Sequence, residues 1–300
     1  METKKKICVI TGTRSEYGIL KPLLDEIKKS EKLELILGVT GMHLLKEHGD
    51  SKKEIEKNKF NTIEIPMYTE NTQEHSESLA NGIKNMANSL KEENPDMVVV
   101  FGDRLEPLAA LLAAATLDIP IAHISGGDKT DSGIIDESIR HSMTKFAHLH
   151  FPETKKSAKR IEKMGEEKWR IHLTGALEID ALLQRRKTNK GDLFKKYNLN
   201  PSEELIMCIQ HPMNIESNLA AEHIQDTISA IKELNIQTLM IYPNNDPGSK
   251  EMITELNKIQ EPFIKVFKNI EHSDYLNLLS FASAIIGNST SALTEAPTFG

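Results

Sequence analysis

The chain has 300 residues, of which 39% are hydrophobic and 27% are charged, and its formal net charge is −7 at pH 7. This length and composition are typical of one large or two ordinary globular domains with a sizeable core. The negative balance argues against a nucleic-acid-binding surface. No apolar run reaches the ~18 residues of a membrane helix, and the start METKKKICVITG lacks the apolar stretch of a signal peptide. We therefore expect a cytoplasmic protein that binds neither nucleic acid nor membrane.

The chain has two cysteines, Cys8 and Cys208, and both stand inside apolar, strand-like runs. Such positions are typical of small core residues and not of a disulfide or metal framework. A reducing compartment is therefore expected.

Strand-like and helix-like patterns alternate through the first half of the chain. The predicted strands span residues 7–11, 33–39, 62–66, 97–101, 119–124, 148–152 and 170–174. The clearest predicted helices span residues 19–30, 74–93, 107–117 and 136–147. Strands that alternate with helices predict parallel βαβ units.

The stretch 184–204 is polar and predicts a connection between domains. A second alternating set follows at residues 205–210, 220–234, 238–242, 250–259, 263–267, 273–282 and 284–287. The simplest architecture is α/β, with two doubly wound domains, residues 1–184 and 185–300, that face each other across a cleft. Because such a domain normally has more strands after the final EAPTFG, we expect the second domain to be truncated.

The first candidate binding motif is the loop TGTRSEYG at residues 11–18, between a predicted strand and helix. Glycine permits a tight turn, and N–H groups at a helix N-terminus can bind an anion. The loop matches neither the dinucleotide pattern GxGxxG nor a P-loop. Arg14 would bring a planar cation to a diphosphate; the alternative is an ordinary turn with a surface arginine.

The predicted strand 97–101 is followed by Gly102 and then by an acidic residue, Asp103, and a basic residue, Arg104. In an open parallel sheet, ligands bind at the carboxyl ends of the strands. Asp103 could act as a base, orient a neighbour, or cap the following helix.

The segment HISGGD at residues 123–128 ends the next predicted strand. Alternation along a strand places His123 and Ser125 on the same side. A lone histidine at a strand end is more often structural than catalytic. The pair Gly126 and Gly127 permits a ligand, or another backbone, to approach closely.

A predicted helix opens with two acids, Asp136 and Glu137. Glu137, Arg140 and His141 share one helix face. A carboxylate beside an arginine suits a base or an electrostatic partner. The alternative is a solvent-facing ion pair.

The second half carries three polar segments at predicted strand ends: QHP at 210–212, YPNNDPGSK at 242–250 and GNSTS at 287–291. Hydroxyls and N–H groups before a helix can bind phosphate without a metal. Because all the polar segments follow strands, we expect them along one edge of each sheet, which favours a shared binding function.

The chain resembles the hydrolysing UDP-N-acetylglucosamine 2-epimerases. The resemblance rests on the following segments, in this order: FGDR, HISGGD, IDESIRHSMTK, QHP, YPNNDPGSKE and GNSTSALTEAPTFG. The resemblance covers essentially the whole chain and implies the GT-B architecture of two Rossmann-like domains. The non-hydrolysing branch has Pro-Glu after the first-loop arginine, whereas Ser15 and Glu16 follow Arg14 here, which favours the hydrolysing branch. Members commonly associate through the first domain, which implies a homodimer or homotetramer.

Two departures from the family pattern matter. Ser125 stands where relatives often have a glutamate, so that role is absent or is taken by Asp128 or another acid. The family also continues beyond EAPTFG with further strands, an arginine that holds the diphosphate and a C-terminal helix. If Gly300 is not the natural end, these parts are missing here, and we favour that interpretation.

The resemblance implies a UDP-sugar substrate and two chemical steps. UDP leaves C1 as the C2 proton is removed, giving 2-acetamidoglucal, and water then adds to release an N-acetylmannosamine-type sugar. Asp103, Glu137 and, less directly, Asp136 are the candidates for proton transfer and water activation, with Arg140 tuning them. The groups implied to bind the sugar or nucleotide, or to stabilise the leaving diphosphate, are Arg14, His43, Arg104, His211, Asn244, Ser289, Thr290 and Glu295.

No cluster has metal-ligand spacing, so we expect no cofactor, neither metal nor nicotinamide. Three alternatives stay open. The first is the same chemistry on UDP-2,4-diacetamido-2,4,6-trideoxyglucose, for legionaminic-type sugars. The second is a GT-B glycosyltransferase, against which the acids Asp103, Asp136 and Glu137 argue. The third is a non-catalytic nucleotide-sugar-binding protein, which Ser125 and the early C-terminus support.

Overall fold

The computed structural model describes residues 3–45, 51–68, 75–129 and 135–300. The chain forms two compact units, Met1–Ala181 and Leu182–Gly300. Within the described ranges, no helix is long and apolar enough to cross a membrane.

The first unit is built on a six-stranded parallel sheet with the spatial order β3-β2-β1-β4-β5-β6. Its strands are β1 (Lys5–Thr11), β2 (Leu33–Val39), β3 (Thr62–Glu64), β4 (Met97–Phe101), β5 (Ile121–Ile124) and β6 (Leu149–Phe151). The chain moves outward from β1 to β3 and returns to β4 beside β1. This reversal between β1 and β4 is the switch point at which open α/β sheets bind ligands.

Helices cover both faces of this sheet. They are α1 (Arg14–Lys29), α2 (Ser51–Lys57), α3 (His75–Glu93), α4 (Leu105–Thr116), α5 (Ile135–Phe146), α6 (Lys155–Lys163) and α7 (Leu177–Gln184), with short 3-10 helices at Gly41–Leu44 and Lys168–Arg170. Val98 and Val100 pack in one core layer, whereas Val99 packs in the opposite layer. Two buried faces explain why the strands are continuous apolar runs.

The second unit is a four-stranded parallel sheet with the order β10-β7-β8-β9. Its strands are β7 (Ile206–Ile209), β8 (Thr238–Ile241), β9 (Ile264–Phe267) and β10 (Ala284–Gly287). Its helices are α8 (Lys190–Lys196), α9 (Ala220–Leu234), α10 (Ser249–Leu256), α11 (His272–Leu279) and α12 (Ser291–Thr294), with 3-10 helices at Asn214–Leu219 and Ala296–Phe299. The predicted α/β class, with helices alternating along two parallel sheets, is confirmed.

Two sequence predictions about the fold are wrong. Residues 170–174 form no strand: a 3-10 helix ends at Arg170, and Ile171 makes one isolated bridge to His150. The polar stretch 184–204 is not only a connection, because α8 places Leu193 and Phe194 in the core of the second unit. The other face of α8 is polar and exposed, so the local sequence pattern did not predict a helix there.

Candidate functional site

The loop after β1 is organised by Glu16. The Glu16 carboxylate accepts the Gly12 N–H at 2.6 Å and the Thr13 N–H at 3.3 Å, while Thr13 caps α1. A side chain of the same loop therefore occupies two of its N–H groups, those of Gly12 and Thr13. Burial of Glu16 raises the pKa of its carboxyl to about 8.

Arg14 and His43 lie close together at the ends of β1 and β2. Arg14 Nε donates to the Glu54 carboxylate at 2.8 Å. The Nε2 of His43 is 3.1 Å from the Thr11 hydroxyl, and its ring packs edge-on against Tyr17. Burial, aided by the Arg14 charge, lowers the pKa of His43 to about 4. His43 is therefore a neutral imidazole at neutral pH.

Asp103 at the end of β4 forms an ion pair with Arg140 on α5. The N-cap of α4 is Arg104, without a side-chain capping bond, so Asp103 does not serve as the helix cap. Arg104 instead turns its Nε toward the buried Glu106 carboxylate at 3.3 Å. Tertiary structure thus brings two predicted residues, Asp103 and Arg140, into direct contact.

The first turn of α5 carries Asp136 and Glu137, both partly buried. Glu137 Oε1 lies 3.8 Å from His141 Nε2 one turn along the helix. Burial lowers the pKa of His141, and the Glu137 charge opposes this shift. Arg140, on the same predicted helix face, pairs with Asp103 at the end of β4.

His123 is a buried structural residue. Its Nε2 lies 2.8 Å from the Gly102 carbonyl oxygen, and its Nδ1 lies 3.2 Å from the Thr144 hydroxyl. Burial lowers the pKa of His123 to about 4. The ring ties the ends of β4 and β5 to α5, which supports the structural interpretation offered from sequence.

The two glycines after β5 permit close packing of the protein on itself. A Cβ atom on Gly126 would lie 2.9 Å from the Nδ1 of His123, and one on Gly127 would lie 2.6 Å from the Ser157 carbonyl oxygen. Ser125 adopts φ +61°, so the strand alternation used to place it stops at Ile124.

Two acids flank Ser125. Asp128 accepts a hydrogen bond from the Ser157 hydroxyl. Glu153 was not among the predicted residues; burial raises the pKa of its carboxyl, and the Ser125 hydroxyl counteracts this.

In the second unit, His211 follows β7 and is held by two neighbours. The His211 N–H donates to the Asn288 side-chain oxygen at 2.7 Å, and the Asn288 amide donates back to the His211 carbonyl at 2.9 Å. The Asn244 N–H donates to His211 Nδ1 at 3.1 Å. In the neutral form of His211, this bond places the ring proton on Nε2.

The segment after β10 is also closely packed. Gly287 has φ +124°, and a Cβ there would lie 1.9 Å from the Ile209 carbonyl oxygen. Thr290 precedes the four-residue helix α12, and Ser289 Oγ accepts from the Ser291 N–H at 3.4 Å. Glu295 is 4% exposed and accepts from the Thr294 hydroxyl at 2.6 Å.

Within the described ranges, no group of three or more His, Cys, Asp or Glu side chains is placed to hold a metal ion. Both cysteines are buried and unpaired, as the sequence predicts. Each unit gathers hydrogen-bonding and ionisable side chains at the carboxyl ends of its parallel strands. Open α/β proteins bind their ligands at this edge of the sheet.

Residues 25–300 match the family model described as UDP-N-acetylglucosamine 2-epimerase, and the chain belongs to this enzyme family. It is 34% identical to a UDP-N,N'-diacetylbacillosamine 2-epimerase (hydrolyzing) of Legionella pneumophila, covering 98% of this chain and 79% of the relative. It is 33% identical to a UDP-N-acetylglucosamine 2-epimerase of Neisseria meningitidis, covering 99% and 78%.

The fold agrees with a solved structure of the family. The crystal structure of UDP-GlcNAc 2-epimerase from Neisseria meningitidis bound to UDP-GlcNAc matches with a TM-score of 0.79 at 20% identity. The match covers 98% of this chain and 80% of the other.

Besides Glu153, three residues that organise the strand ends are absent from the predicted site residues: Glu16, Glu106 and Asn288. The pattern Thr13-x-x-Glu16 is a capping-box signature and could have identified Glu16. Asn288 lies inside a predicted motif, but its partner His211 is 77 residues away. No local pattern distinguishes Glu106 from an ordinary acid in a first helical turn.

Proposed function

We propose that this protein is a hydrolysing UDP-N-acetylglucosamine 2-epimerase that converts UDP-N-acetylglucosamine and water to N-acetylmannosamine and UDP. In this proposal the first unit handles the sugar and the second unit binds the nucleotide. Family membership supports the substrate class, and the contacts within each unit support the division of roles.

The observation that carries the proposal is the ion pair between Asp103 and Arg140. It fixes a carboxylate at the switch point between β1 and β4, next to a helix whose first turn holds Asp136 and Glu137. Inversion at C2 needs one group to remove a proton and another to return one. Several acids at one strand edge, one of them held by an arginine, meet that need.

The first step is elimination. A carboxylate, for which Asp103 is the leading candidate, takes the proton from C2, and the C2–H electron pair forms the C1–C2 double bond. The C1–O bond breaks, and UDP leaves with its electron pair. Because no carbonyl acidifies the C2 proton, C1–O cleavage leads, and charge develops on the diphosphate.

Donors placed where this charge develops stabilise the transition state. In the second unit the Nε2–H of His211 is the leading candidate, since Asn244 and Asn288 hold the residue in place. The Ser289 and Thr290 hydroxyls are further candidates. In the first unit, Arg14 would add positive charge. Asn244 and Glu295 are the proposed contacts to the nucleoside.

The second step is hydration of 2-acetamidoglucal. A carboxylate, proposed as Glu137 or Asp136, removes a proton from water as the oxygen adds to C1. A protonated acid delivers a proton to C2 on the face opposite the one deprotonated. The sum of both steps consumes one water and releases the epimerised sugar and UDP.

A second substrate has a specific observation in its favour. The Legionella relative carries the name of a hydrolyzing UDP-N,N'-diacetylbacillosamine 2-epimerase. The same elimination and hydration on a UDP-2,4-diacetamido-2,4,6-trideoxy sugar would use the same groups at C1 and C2. Specificity would then depend on contacts to the C4 and C6 substituents.

The test is turnover of each nucleotide sugar in deuterated water. We expect one deuterium at C2 of the free sugar and one UDP released per sugar formed. A UDP-linked epimer without UDP release would identify a non-hydrolysing enzyme, and product without deuterium at C2 would contradict the elimination. Side-by-side kcat/KM values decide between the two substrates.

A further inference from the structure

Glu106 is a completely buried carboxylate in the first turn of α4, 0% exposed. Burying a charge costs free energy unless partners compensate it. Its Oε2 accepts from Arg104 Nε at 3.3 Å, and its Oε1 accepts from the Tyr68 hydroxyl at 3.1 Å. The proposed mechanism assigns this carboxylate no chemistry.

The Glu106 side chain also fills the space beside two strand-end turns. A Cβ atom on Gly12 would lie 2.6 Å from Glu106 Cγ, and one on Gly41 would lie 2.7 Å from Glu106 Oε1. Gly12 begins the loop that carries Arg14, and Gly41 begins the 3-10 helix that carries His43. One side chain therefore contacts the turns that follow β1 and β2 and the residue that precedes α4.

The charge of Glu106 acts on the same turns. It faces Arg104, which directly follows Asp103. Burial is the main cause of the raised pKa of the Glu16 carboxyl, which accepts the Gly12 N–H, and the Glu106 charge adds to this shift. Arg104 acts on Glu16 in the opposite direction. The Glu106 charge thus acts on Arg104, which is next to the proposed base Asp103, and on the loop that carries Arg14.

We propose that Glu106 is a positioning residue, whose buried carboxylate holds Arg104 beside Asp103 and fastens the turns that carry Arg14 and His43. This inference rests on the proposed function for its kinetic consequence. It extends that function by adding a group that acts on the substrate only through other residues. A displacement of order 1 Å in such a support can reduce turnover about 100-fold.

The kinetic test compares two substitutions at the same carboxylate. Glu106→Gln keeps the size but replaces the oxygen facing Arg104 or Tyr68 with a donor, and it removes the charge. Tyr68→Phe removes the other hydrogen bond and leaves the charge. We expect E106Q to lower kcat about 10- to 100-fold with KM changed less than about threefold, and Y68F to change kcat less than about twofold.

A second readout does not need turnover. The Nε–H signal of Arg104, followed by ¹⁵N nuclear magnetic resonance, should exchange slowly with water in the unsubstituted protein and in Y68F, and faster in E106Q. Circular dichroism and the thermal midpoint of each variant establish that it is folded.

The outcomes separate the two proposals. If the unsubstituted protein releases no UDP but Arg104 loses protection in E106Q, the proposed function fails and the positioning of Arg104 stands. If the protein is active and E106Q retains full kcat, or if Arg104 exchange is unchanged in E106Q, the positioning role is wrong. Equal kinetic losses in E106Q and Y68F would also overturn it, since they would indicate a general packing defect.

Discussion

Asp103 and Arg140 form an ion pair that joins the end of β4 to α5, and their side chains are only 21% and 15% exposed. The two residues are 37 positions apart in the chain. A partly buried pair is screened less by salt than a surface pair. The contact therefore holds the leading carboxylate in a defined place relative to the acids of α5.

Substitution of either partner should reduce turnover by different amounts. Asp103→Asn removes the proton acceptor and should lower kcat/KM about 100- to 10,000-fold. Arg140→Lys keeps the charge but loses the planar guanidinium, and a roughly tenfold loss is expected. UDP release is the assay. Ser138→Ala, an exposed position on the same helix, is the control and should change kcat/KM less than about twofold. Near-normal turnover in D103N would exclude Asp103 as the base.

The free-energy cost of adding a methyl group in the close packing at Gly127 should be measurable separately from the cost of its positive φ. Gly127 and Gly175 have similar positive φ values, +82° and +84°, but a Cβ meets the Ser157 carbonyl at 2.6 Å only at Gly127 and has open space at Gly175. Gly175→Ala should therefore cost about 1 kcal/mol of unfolding free energy from the backbone alone. Gly127→Ala should cost about 2–4 kcal/mol because overpacking adds to that strain.

Urea unfolding of the two variants and the parent protein measures this difference. Equal losses would mean that α6 moves away from the added methyl group at little cost. In that case the close approach of the two backbones would not explain the glycine at position 127.

Acid should destabilise the protein through His123. Its pKa is about 4 in the folded state, mainly because of burial, against an ordinary value of 6.5. Between these values the unfolded chain binds a proton that the folded chain does not, so unfolding free energy falls as pH decreases from 6.5 to 4. The contribution is at most about 3 kcal/mol. His43 acts in the same direction, since burial also lowers its pKa to about 4.

The variant His123→Gln removes one of these two titrations. Unfolding free energies measured at several pH values between 7 and 4 should fall less steeply in H123Q than in the parent. An identical acid slope in H123Q and the parent would show that His123 becomes protonated without unfolding.

The opposite pH dependence is expected from Glu16. Because burial raises the pKa of its carboxyl, the unfolding free energy should decrease as pH rises from 4.5 toward 8.

Much of the architecture was predictable because it depends on local patterns. Apolar runs such as residues 97–101 and 119–124, alternating with helical periodicity, predict parallel βαβ units whatever the partners are. Since a parallel sheet places all its carboxyl ends on one side, the order of the motifs also predicts which polar residues gather. The failures at 170–174 and 184–204 occurred where tertiary contacts outweighed the local pattern.

The sequence by itself therefore determined the class of fold, the family and the set of polar residues at the strand ends. Only the tertiary structure decided how those residues pair: Asp103 with Arg140, His211 with Asn288, and Glu106 with both Arg104 and Tyr68. The physical reason is distance along the chain. Periodicity reports the face of a residue on its own element, whereas an ion pair or a close backbone contact depends on how two elements distant in sequence are packed together.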